Sequence, residues 1–359
     1  MRELNVADIV DLARGAAILG SGGGGNPYMG ELIAERAIAD NGPVAVVDVA
    51  EVPADAIVAP VAVMGAPTVF QERLLAGDEI RRAIAAAGAA VGRPPTHLLA
   101  AEVGGVNATM PIAPAAELRL PLLDGDLMGR AFPELPMLLP TLAGIRMSPT
   151  VLADDKGNVV ILDTVSADWS ERIARACAVA MGGTAAVVLA VLPAGELSCA
   201  VTPGTLLLAQ DVGRMVRMAR ENHADPVEAA RRALGGVNVF LGKVVDVDRR
   251  LTGGFIRGQA VVEGIGTKWG ETLVLTFQNE YLLATRGGEP VVTTPNLICV
   301  LEEETGEPVP ADVMNYGLRI AVIGAPCDPR WSSPRGLEMV GPGYFGYDCP
   351  YVSLPTEPI

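Results

Sequence analysis

Basic residues, aromatic residues and histidine are all scarce in this sequence. Its 359 residues include 27 Lys and Arg against 42 Asp and Glu, for a formal net charge of −15, and only 4% are aromatic. No basic run offsets the acidic balance locally, so a phosphate backbone would be repelled and we expect no nucleic-acid partner. The two histidines, His97 and His223, have no Cys or His near them at ligand spacing, which argues against a histidine-based zinc site.

Cysteines and long apolar runs are also few. The five cysteines are odd in number and form no C-x-x-C pair, which indicates reduced thiols rather than a disulfide framework. The longest apolar stretch, roughly 184–192, is shorter than the approximately 20 residues that cross a bilayer. The N-terminus has no basic segment followed by an apolar one, as a secretory signal would. We therefore expect a cytoplasmic protein with no membrane partner.

The remaining composition is that of a compact globular protein. Half of the residues are hydrophobic, and 41 Gly and 28 Pro interrupt the apolar segments. The length predicts two domains, each large enough to bury its own core. We expect a layered α/β domain over residues 1–166, with a Gly-rich loop between helices. A β-rich domain follows over residues 167–359, and its last segment could pack back on the first domain.

Periodicity supports this division. In the first domain it predicts helices over 6–19, from Pro27 to about 40, and 70–87, and strands over 44–49, 56–64 and 97–103. Asn5 and Asp8 form a capping-box variant at the first helix, and Asn26 is the expected N-cap of the second. A long functional loop is expected over 118–147, and a hairpin over 150–165 that turns at DDKGN. Helices over 168–181 and 203–221 precede alternating strands over 237–323. Alternating helices and buried strands are typical of an α/β layer.

The segment SGGGG, from Ser21 to Gly25, is followed by Asn26 and Pro27 at the start of a predicted helix. Such a loop can turn its N–H groups toward a carboxylate, a phosphate or a developing oxyanion, and the helix N-terminus adds a positive dipole. It is not a Walker A loop, because no Gly-Lys-Ser/Thr follows, and a helix rather than a strand precedes it. The alternative is a tight helix–helix turn, which seldom needs four consecutive glycines.

A second cluster lies in DGDLMGRAFPE, with Asp124, Asp126, Arg130 and Glu134. Two carboxylates two residues apart share one side of an extended backbone and could hold a divalent cation or divide acid and base roles. Arg130 could neutralise them or bind a substrate carboxylate through two hydrogen bonds. The alternative is a solvated acidic loop.

Glu102 ends an apolar run and precedes Gly104, Gly105 and Asn107. Chemistry in α/β proteins often lies at the carboxyl ends of strands, where burial can raise the pKa of a carboxyl and make it a general base. A strand-end Glu that caps a helix or pairs with an Arg is an equal alternative. Gln278, Asn279 and Glu280 close a predicted strand and could present amide and carboxylate groups to a ligand, but an ordinary strand end is slightly favoured.

Seven segments in the same order along the chain resemble one family. These are LGSGGGGNPYMG from Leu19, EVGGVN from Glu102, DGDLMGRAFPE from Asp124, TPGTL from Thr202, LGKVVDV from Leu241, QNEYL from Gln278 and VGPGYFGYD from Val340. Together they resemble the S-methyl thiohydantoin desulfurase family, which is associated with hydantoinase and oxoprolinase genes. GGGGNPY and GRAFPE are the most specific of these motifs.

The resemblance implies hydrolytic removal of methanethiol from a five-membered S-methylated thiohydantoin that carries an acidic side chain, leaving a hydantoin. In this hypothesis a carboxylate activates water directly or through a divalent metal, the loop amides stabilise negative charge, and Arg130 holds the substrate carboxylate. The candidate catalytic residues are Glu102, Asp124, Asp126 and Glu134, and the candidate substrate-binding residues are Ser21, Gly22, Gly23, Gly24, Gly25, Asn26, Asn107 and Arg130.

Two other functions stay open. The chain could be a non-catalytic, ligand-binding partner of a hydantoinase or oxoprolinase-type complex, or it could bind a phosphate ligand at the glycine loop. In each case we expect a small-molecule site in the cleft between the domains. A homo-oligomer is expected from the general frequency of symmetric assemblies.

Overall fold

The computed structural model describes residues 2–65, 77–252 and 255–354. The chain has an N-terminal α/β part and a β-rich C-terminal part, as the composition and periodicity predict. Part of the helix expected over 70–87 lies outside the described residues, and the remainder is the beginning of a helix over Asp78–Val91.

Ten described strands form the first sheet. They are β1 (Arg2–Leu4), β2 (Val44–Asp48), β3 (Ile57–Gly65), β4 (His97–Ala100), β5 (Leu122–Asp126), β6 (Thr150–Ala153), β7 (Val159–Leu162), β8 (Thr184–Val188), β9 (Leu192–Pro193) and β10 (Thr202–Pro203). The order is β1-β2-β5-β4-β3-β8-β6-β7, with β10 beside β5 and β9 beside β3. The central strands β2, β5, β4 and β3 are parallel, and the other pairings are antiparallel.

Helices cover both faces of this sheet. The described ones are α1 (Val6–Leu19), α2 (Tyr28–Asn41), α3 (Asp78–Val91), α4 (Ile112–Leu118), α5 (Leu139–Leu142), α6 (Ala167–Ala180), α7 (Leu197–Ala200), α8 (Thr205–Glu221), α9 (Pro226–Ala233) and α10 (Pro334–Val340). Apolar side chains of α1 to α4, α8 and α9 share one core, and those of α5 to α7 and α10 share another on the opposite face. None of the described helices is both long and apolar enough to cross a membrane.

The first two helices follow the sequence signals closely. Asn5 and Asp8 form the predicted capping box at the start of α1. Residues 20–27 connect α1 to α2, and Pro27 rather than Asn26 occupies the cap position of α2. The side chain of Asn26 instead accepts the N–H of Tyr28, at 2.9 Å.

The second sheet is antiparallel throughout. Its strands are β11 (Val237–Thr252), β12 (Phe255–Gly264), β13 (Thr272–Gln278), β14 (Glu280–Arg286), β15 (Glu289–Thr293), β16 (Leu297–Glu302) and β17 (Arg319–Ala325), in the order β15-β14-β13-β12-β11-β17-β16. Along β16 the side chains alternate between two cores. Ile298 and Val300 lie in the core of the second sheet, whereas Leu297, Cys299 and Leu301 lie in the core that contains α1 and α8. One strand therefore joins the two halves of the molecule.

The prediction of a long loop over 118–147 is wrong for the first part of this range. Leu122–Asp126 is the buried strand β5, between β2 and β4 in the parallel part of the sheet. The sequence DGD is polar and does not look like a buried strand. Its carboxylates can be buried because they accept hydrogen bonds from donors inside the protein. The hairpin over 150–165 is confirmed as β6 and β7.

Segments after residue 166 also contribute to the first sheet and its cores. The helices α6 to α9 and the strands β8 to β10 all follow that residue. Farther along, the indole of Trp331 is buried, packs edge-on against Phe132 with ring centroids 5.4 Å apart, and donates to the Met128 carbonyl at 2.8 Å. The chain after β17 thus returns to the N-terminal part.

Candidate active site

One cavity of about 160 Å³ brings the glycine loop next to Glu102. The predicted site residues that line it are Gly22, Gly23, Gly24, Gly25, Asn26, Glu102, Asn107 and Glu134. The polar residues that complete the lining are Glu171, Arg175, Thr184, Asn279 and Asp312, and its apolar wall includes Met64, Val106, Met128, Phe132, Leu135, Val187 and Leu189. Residues from both halves of the chain therefore line one cavity.

Glu102 lies just beyond the end of β4 and is buried. The Nδ2 of Asn107 donates to its Oε1 at 2.5 Å, and the Oδ1 of Asn107 accepts the N–H of Val63 in β3 at 2.7 Å. Burial raises the pKa of Glu102 to about 8; the Asn107 hydrogen bond opposes this and the carboxyl of Asp126 adds to it. At neutral pH the carboxyl is mostly protonated, with an ionised fraction that can accept a proton.

The first glycines of the loop are packed so closely that a side chain would not fit. A Cβ at Gly22 would lie 2.4 Å from the ring of Tyr281, and one at Gly23 would lie 2.0 Å from Oε1 of Glu280. The chain after Glu280 also anchors the loop, because the N–H of Tyr281 donates to the carbonyl of Ser21 at 2.7 Å. These contacts give Gly22 and Gly23 a steric reason beyond backbone flexibility.

The same loop is fixed at two further carbonyl groups. The N–H of Ala311 donates to the Gly22 carbonyl at 2.9 Å, and the N–H of Val106 donates to the Gly24 carbonyl at 2.9 Å. Gly24 and Gly25 have φ angles of 77° and 76°, in the left-handed region that favours glycine. At this end of the cavity the wall is backbone, next to the start of α2.

Glu280, for which the sequence slightly favours an ordinary strand end, lies against Gly23 of the glycine loop and outside the cavity lining. It begins β14 directly after Asn279, is buried, and its Oε2 has no hydrogen-bond partner among the described residues. Its pKa is raised to about 8, mainly by burial and also by the Glu102 carboxyl, against the lowering effect of Arg130. The signal in the sequence is that this acidic residue stands at the start of the otherwise apolar segment EYLLA.

Asp124 and Asp126 do project to one side of β5, as their spacing predicts, but that side faces α8. Asp126 accepts the Thr205 hydroxyl at 2.9 Å and Asp124 accepts the N–H of Leu207 at 3.0 Å. Asp126 also accepts the N–H groups of residues 103, 128 and 129. Burial raises its pKa to about 7, against these hydrogen bonds. Neither residue is in the cavity lining.

This arrangement does not fit a divalent metal between the two carboxylates, which is one of the roles that their spacing allows, because N–H and O–H donors already occupy both oxygens of Asp126 and Oδ1 of Asp124. In the part of the chain that the structure describes, no three Asp, Glu, His or Cys side chains are grouped as metal ligands.

Arg130 and Ser21 also lie behind the cavity rather than in it. The buried guanidinium of Arg130 donates to the carbonyls of Ala131 (2.9 Å), Asn296 (2.6 Å) and Tyr281 (3.3 Å), and also to that of residue 295. It therefore ties the N-terminal part to the second sheet and does not line the cavity. The Ser21 hydroxyl donates to the carbonyl of residue 298 and accepts its N–H.

Glu134 does line the cavity. Its Oε2 accepts the hydroxyl of Tyr344 at 2.8 Å, near the opening. It is the remaining candidate from the acidic cluster that a ligand could contact.

Comparison with known protein families covers almost the whole chain. The S-Me-THD-like N-terminal domain matches residues 7–164, and the S-Me-THD-like C-terminal domain matches residues 165–354. The chain belongs to the S-Me-THD-like family. This confirms the resemblance to the S-methyl thiohydantoin desulfurase family that the seven segments indicate.

A solved structure has a similar fold over nearly its whole length. An X-ray crystal structure of a protein from Chromobacterium violaceum is 26% identical, with a TM-score of 0.79, and the alignment covers 98% of this chain and 99% of that one. A comparison with curated proteins finds no match.

Proposed function

We propose that this protein is a hydrolase that removes methanethiol from a small S-methylated thiohydantoin and leaves a hydantoin. The observation that carries the proposal is the buried carboxyl of Glu102, which lines the cavity and is held in place by Asn107. A general base works best when its pKa lies near the working pH, and burial brings that of Glu102 to about 8. Family membership supports the choice of substrate class.

In the proposed reaction the ionised Glu102 takes a proton from a water molecule, whose oxygen attacks the ring carbon that bears the methylthio group. The C–S bond then breaks and methanethiolate leaves with the electron pair. Protonated Glu102 returns its proton to the sulfur, and the new C–OH group tautomerises to a carbonyl with an N–H on the ring. One water is consumed, and one methanethiol and one hydantoin are formed.

The surroundings of Glu102 support this cycle in two ways. Negative charge builds up on the ring during attack, and the backbone wall at Gly24 and Gly25, beside the N-terminus of α2, provides a polar environment for it. Glu280 is a second buried carboxyl whose charge is coupled to that of Glu102. When it is protonated, ionisation of Glu102 meets less repulsion.

The direct test is thiol release from the purified full-length chain, measured with a colorimetric thiol reagent, on S-methylated thiohydantoins. We expect Glu102→Gln to lower kcat by about 10²-fold or more, the usual contribution of a general base. The matched control is Glu134→Gln, which also removes a carboxylate from the cavity lining but leaves Glu102 and Asn107 intact. Equal activity of Glu102→Gln and wild type would overturn the assignment.

The same preparation distinguishes the hydrolase proposal from the alternative of a non-catalytic partner. Wild-type protein that binds the hydantoin by calorimetry but releases no thiol from any S-methylated ring would contradict the hydrolase proposal. That result would favour a ligand-binding role instead.

A further inference from the structure

We propose that Arg175 and Thr184 form the subsite that binds a carboxylate substituent of the substrate. The inference rests on the proposed function, since it assigns the specificity of the same cavity. Both residues belong to the lining that also contains Glu102. They come from adjacent elements, the last turns of α6 and the first residue of β8.

Thr184 supplies the first observation. Its side chain is 4% exposed, and its hydroxyl Oγ1 has no hydrogen-bond partner among the described residues. Buried polar groups in folded proteins nearly always have a partner, so an unpaired hydroxyl in a cavity wall indicates a missing one. Thr184 pairs with Gly65 in the β3–β8 ladder, so the strand backbone fixes its position. The Thr184 hydroxyl can donate a hydrogen bond to an oxygen of a bound ligand.

Arg175 supplies the second observation. Among the described lining residues it is the one with a cationic side chain. Its Nε and Nη2 both contact Oε1 of Glu171 at 2.5 Å, and its guanidinium lies over the ring of Phe255 at 5.0 Å from the centroid. These contacts orient the planar group while Nη1 remains outside the Glu171 pair. A guanidinium held in this way can bind a carboxylate with little loss of side-chain entropy.

Glu171 must share Arg175 with the ligand. Its other oxygen, Oε2, accepts the N–H of Leu135 at 3.2 Å, so the carboxylate is held in place from two sides. Glu171 lines the same cavity, and a bound anion would share the guanidinium of Arg175 with it. Removing the charge of Glu171 should strengthen anion binding, whereas removing Arg175 should weaken it. If the ion pair were purely structural, removing Glu171 and removing Arg175 would not change anion affinity in opposite directions.

The test uses two S-methylated thiohydantoins, one with a carboxyethyl side chain on the ring and one with the matching primary amide. For Arg175→Met we expect KM for the acid to rise tenfold or more and KM for the amide to change less than about twofold. For Glu171→Gln we expect KM for the acid to fall. Arg172→Met is the matched control, because this arginine is on the same helix and, like Arg175, lines the outer cavity, but it is absent from the lining that contains Glu102.

Thr184→Val keeps the shape of the side chain and removes the unpaired hydroxyl. We expect a several-fold higher KM for the acid with no loss of thermal stability, because the hydroxyl has no partner in the free protein. Thr184→Ser should retain the wild-type KM to within about twofold. Equal effects of Arg175→Met on acid and amide, or a higher KM for the acid in Glu171→Gln, would overturn the subsite.

Calorimetry with the two corresponding hydantoins keeps this proposal separate from the catalytic one. If wild type releases no thiol but binds the acid hydantoin in an Arg175-dependent way, the subsite stands and the hydrolase proposal fails. If thiol is released but the acid binds no better than the amide in wild type, the hydrolase proposal stands and the subsite fails.

Discussion

Asn107 connects Glu102 to the backbone of a neighbouring strand. Its Nδ2 donates to the Glu102 carboxyl while its Oδ1 accepts the N–H of Val63, at 2.5 and 2.7 Å. The amide can satisfy both contacts in only one orientation, so it fixes the direction of the carboxyl. The same hydrogen bond stabilises the ionised carboxylate and lowers its pKa. Asn107 is therefore a positioning residue with an electrostatic effect that can be measured.

Replacing this amide should move the pH profile of the reaction. In Asn107→Ala the pKa of Glu102 loses a lowering influence, so we expect the midpoint of the kcat/KM profile to shift to higher pH and activity at pH 7 to fall about tenfold. Profiles measured from pH 6 to 10 for wild type and variant would show it. A lower rate with an unmoved midpoint would mean that Asn107 only shapes the cavity.

The wild-type profile itself should rise with pH. A base must be ionised to act, and the pKa of Glu102 is raised to about 8, so kcat/KM should increase about tenfold per unit below that pH and level off above it. A rate that is flat from pH 6 to 9 would not agree with Glu102 as the base.

Glu102 should also make folding stability depend on pH. In the unfolded chain this carboxyl ionises near its ordinary value of 4.5, whereas in the folded protein it stays protonated up to about pH 8. Its contribution to stability is therefore complete below pH 4.5 and is lost as the pH rises through 8. We expect Glu102→Gln to become more stable relative to wild type over this range, by on the order of a few kcal/mol. Urea unfolding of both proteins at pH 5 and pH 8.5 measures the difference.

Arg130 should affect stability more than substrate binding. Arg130→Met leaves several buried carbonyl oxygens without their donor, and we expect a loss of about 2–4 kcal/mol in the free energy of unfolding. KM should stay within about twofold of wild type in the protein that remains folded, because the guanidinium does not line the cavity. A large increase in KM with unchanged stability would restore Arg130 as the residue that holds the substrate carboxylate.

The fit between Gly23 and Glu280 offers a double-mutant test. A Cβ at residue 23 would lie 2.0 Å from Oε1 of Glu280, so Gly23→Ala should cost about 1–3 kcal/mol of stability. In the background Glu280→Ala the same change should cost clearly less, because the clashing atoms are gone. Additive losses would show that the glycine is required for another reason.

Local signals in the sequence predicted much of the fold. The capping box of Asn5 and Asp8, the apolar face of α1 and the DDKGN turn each depend on neighbouring residues, and all three are present. Strand β5 was missed because LLDGD looks polar. Its burial depends on donors from residues about 80 positions away, such as Thr205. No local pattern contains that information.

In the candidate site, too, the residues that depend on local sequence were predicted and those that depend on distant contacts were not. Glu102 and Asn107 are five residues apart, and both face the cavity that their motif predicts. The role of Arg130 depends on carbonyls more than 150 residues later, and Glu280 reaches the loop through strand pairing in the second sheet. Residue type suggested ligand binding for Arg130, whereas tertiary contacts assign it to the protein's own backbone.

The carbonyls of Ser21 and Gly22 accept hydrogen bonds from Tyr281 and Ala311, which sets an order of events during synthesis. The ribosome makes the glycine loop among the first residues, but the partners that fix it emerge almost 300 residues later. At translation rates of 5–20 residues per second, the nascent chain carries an unanchored loop for roughly a quarter of a minute to a minute. The candidate site can therefore be completed only when nearly the entire polypeptide has left the exit tunnel.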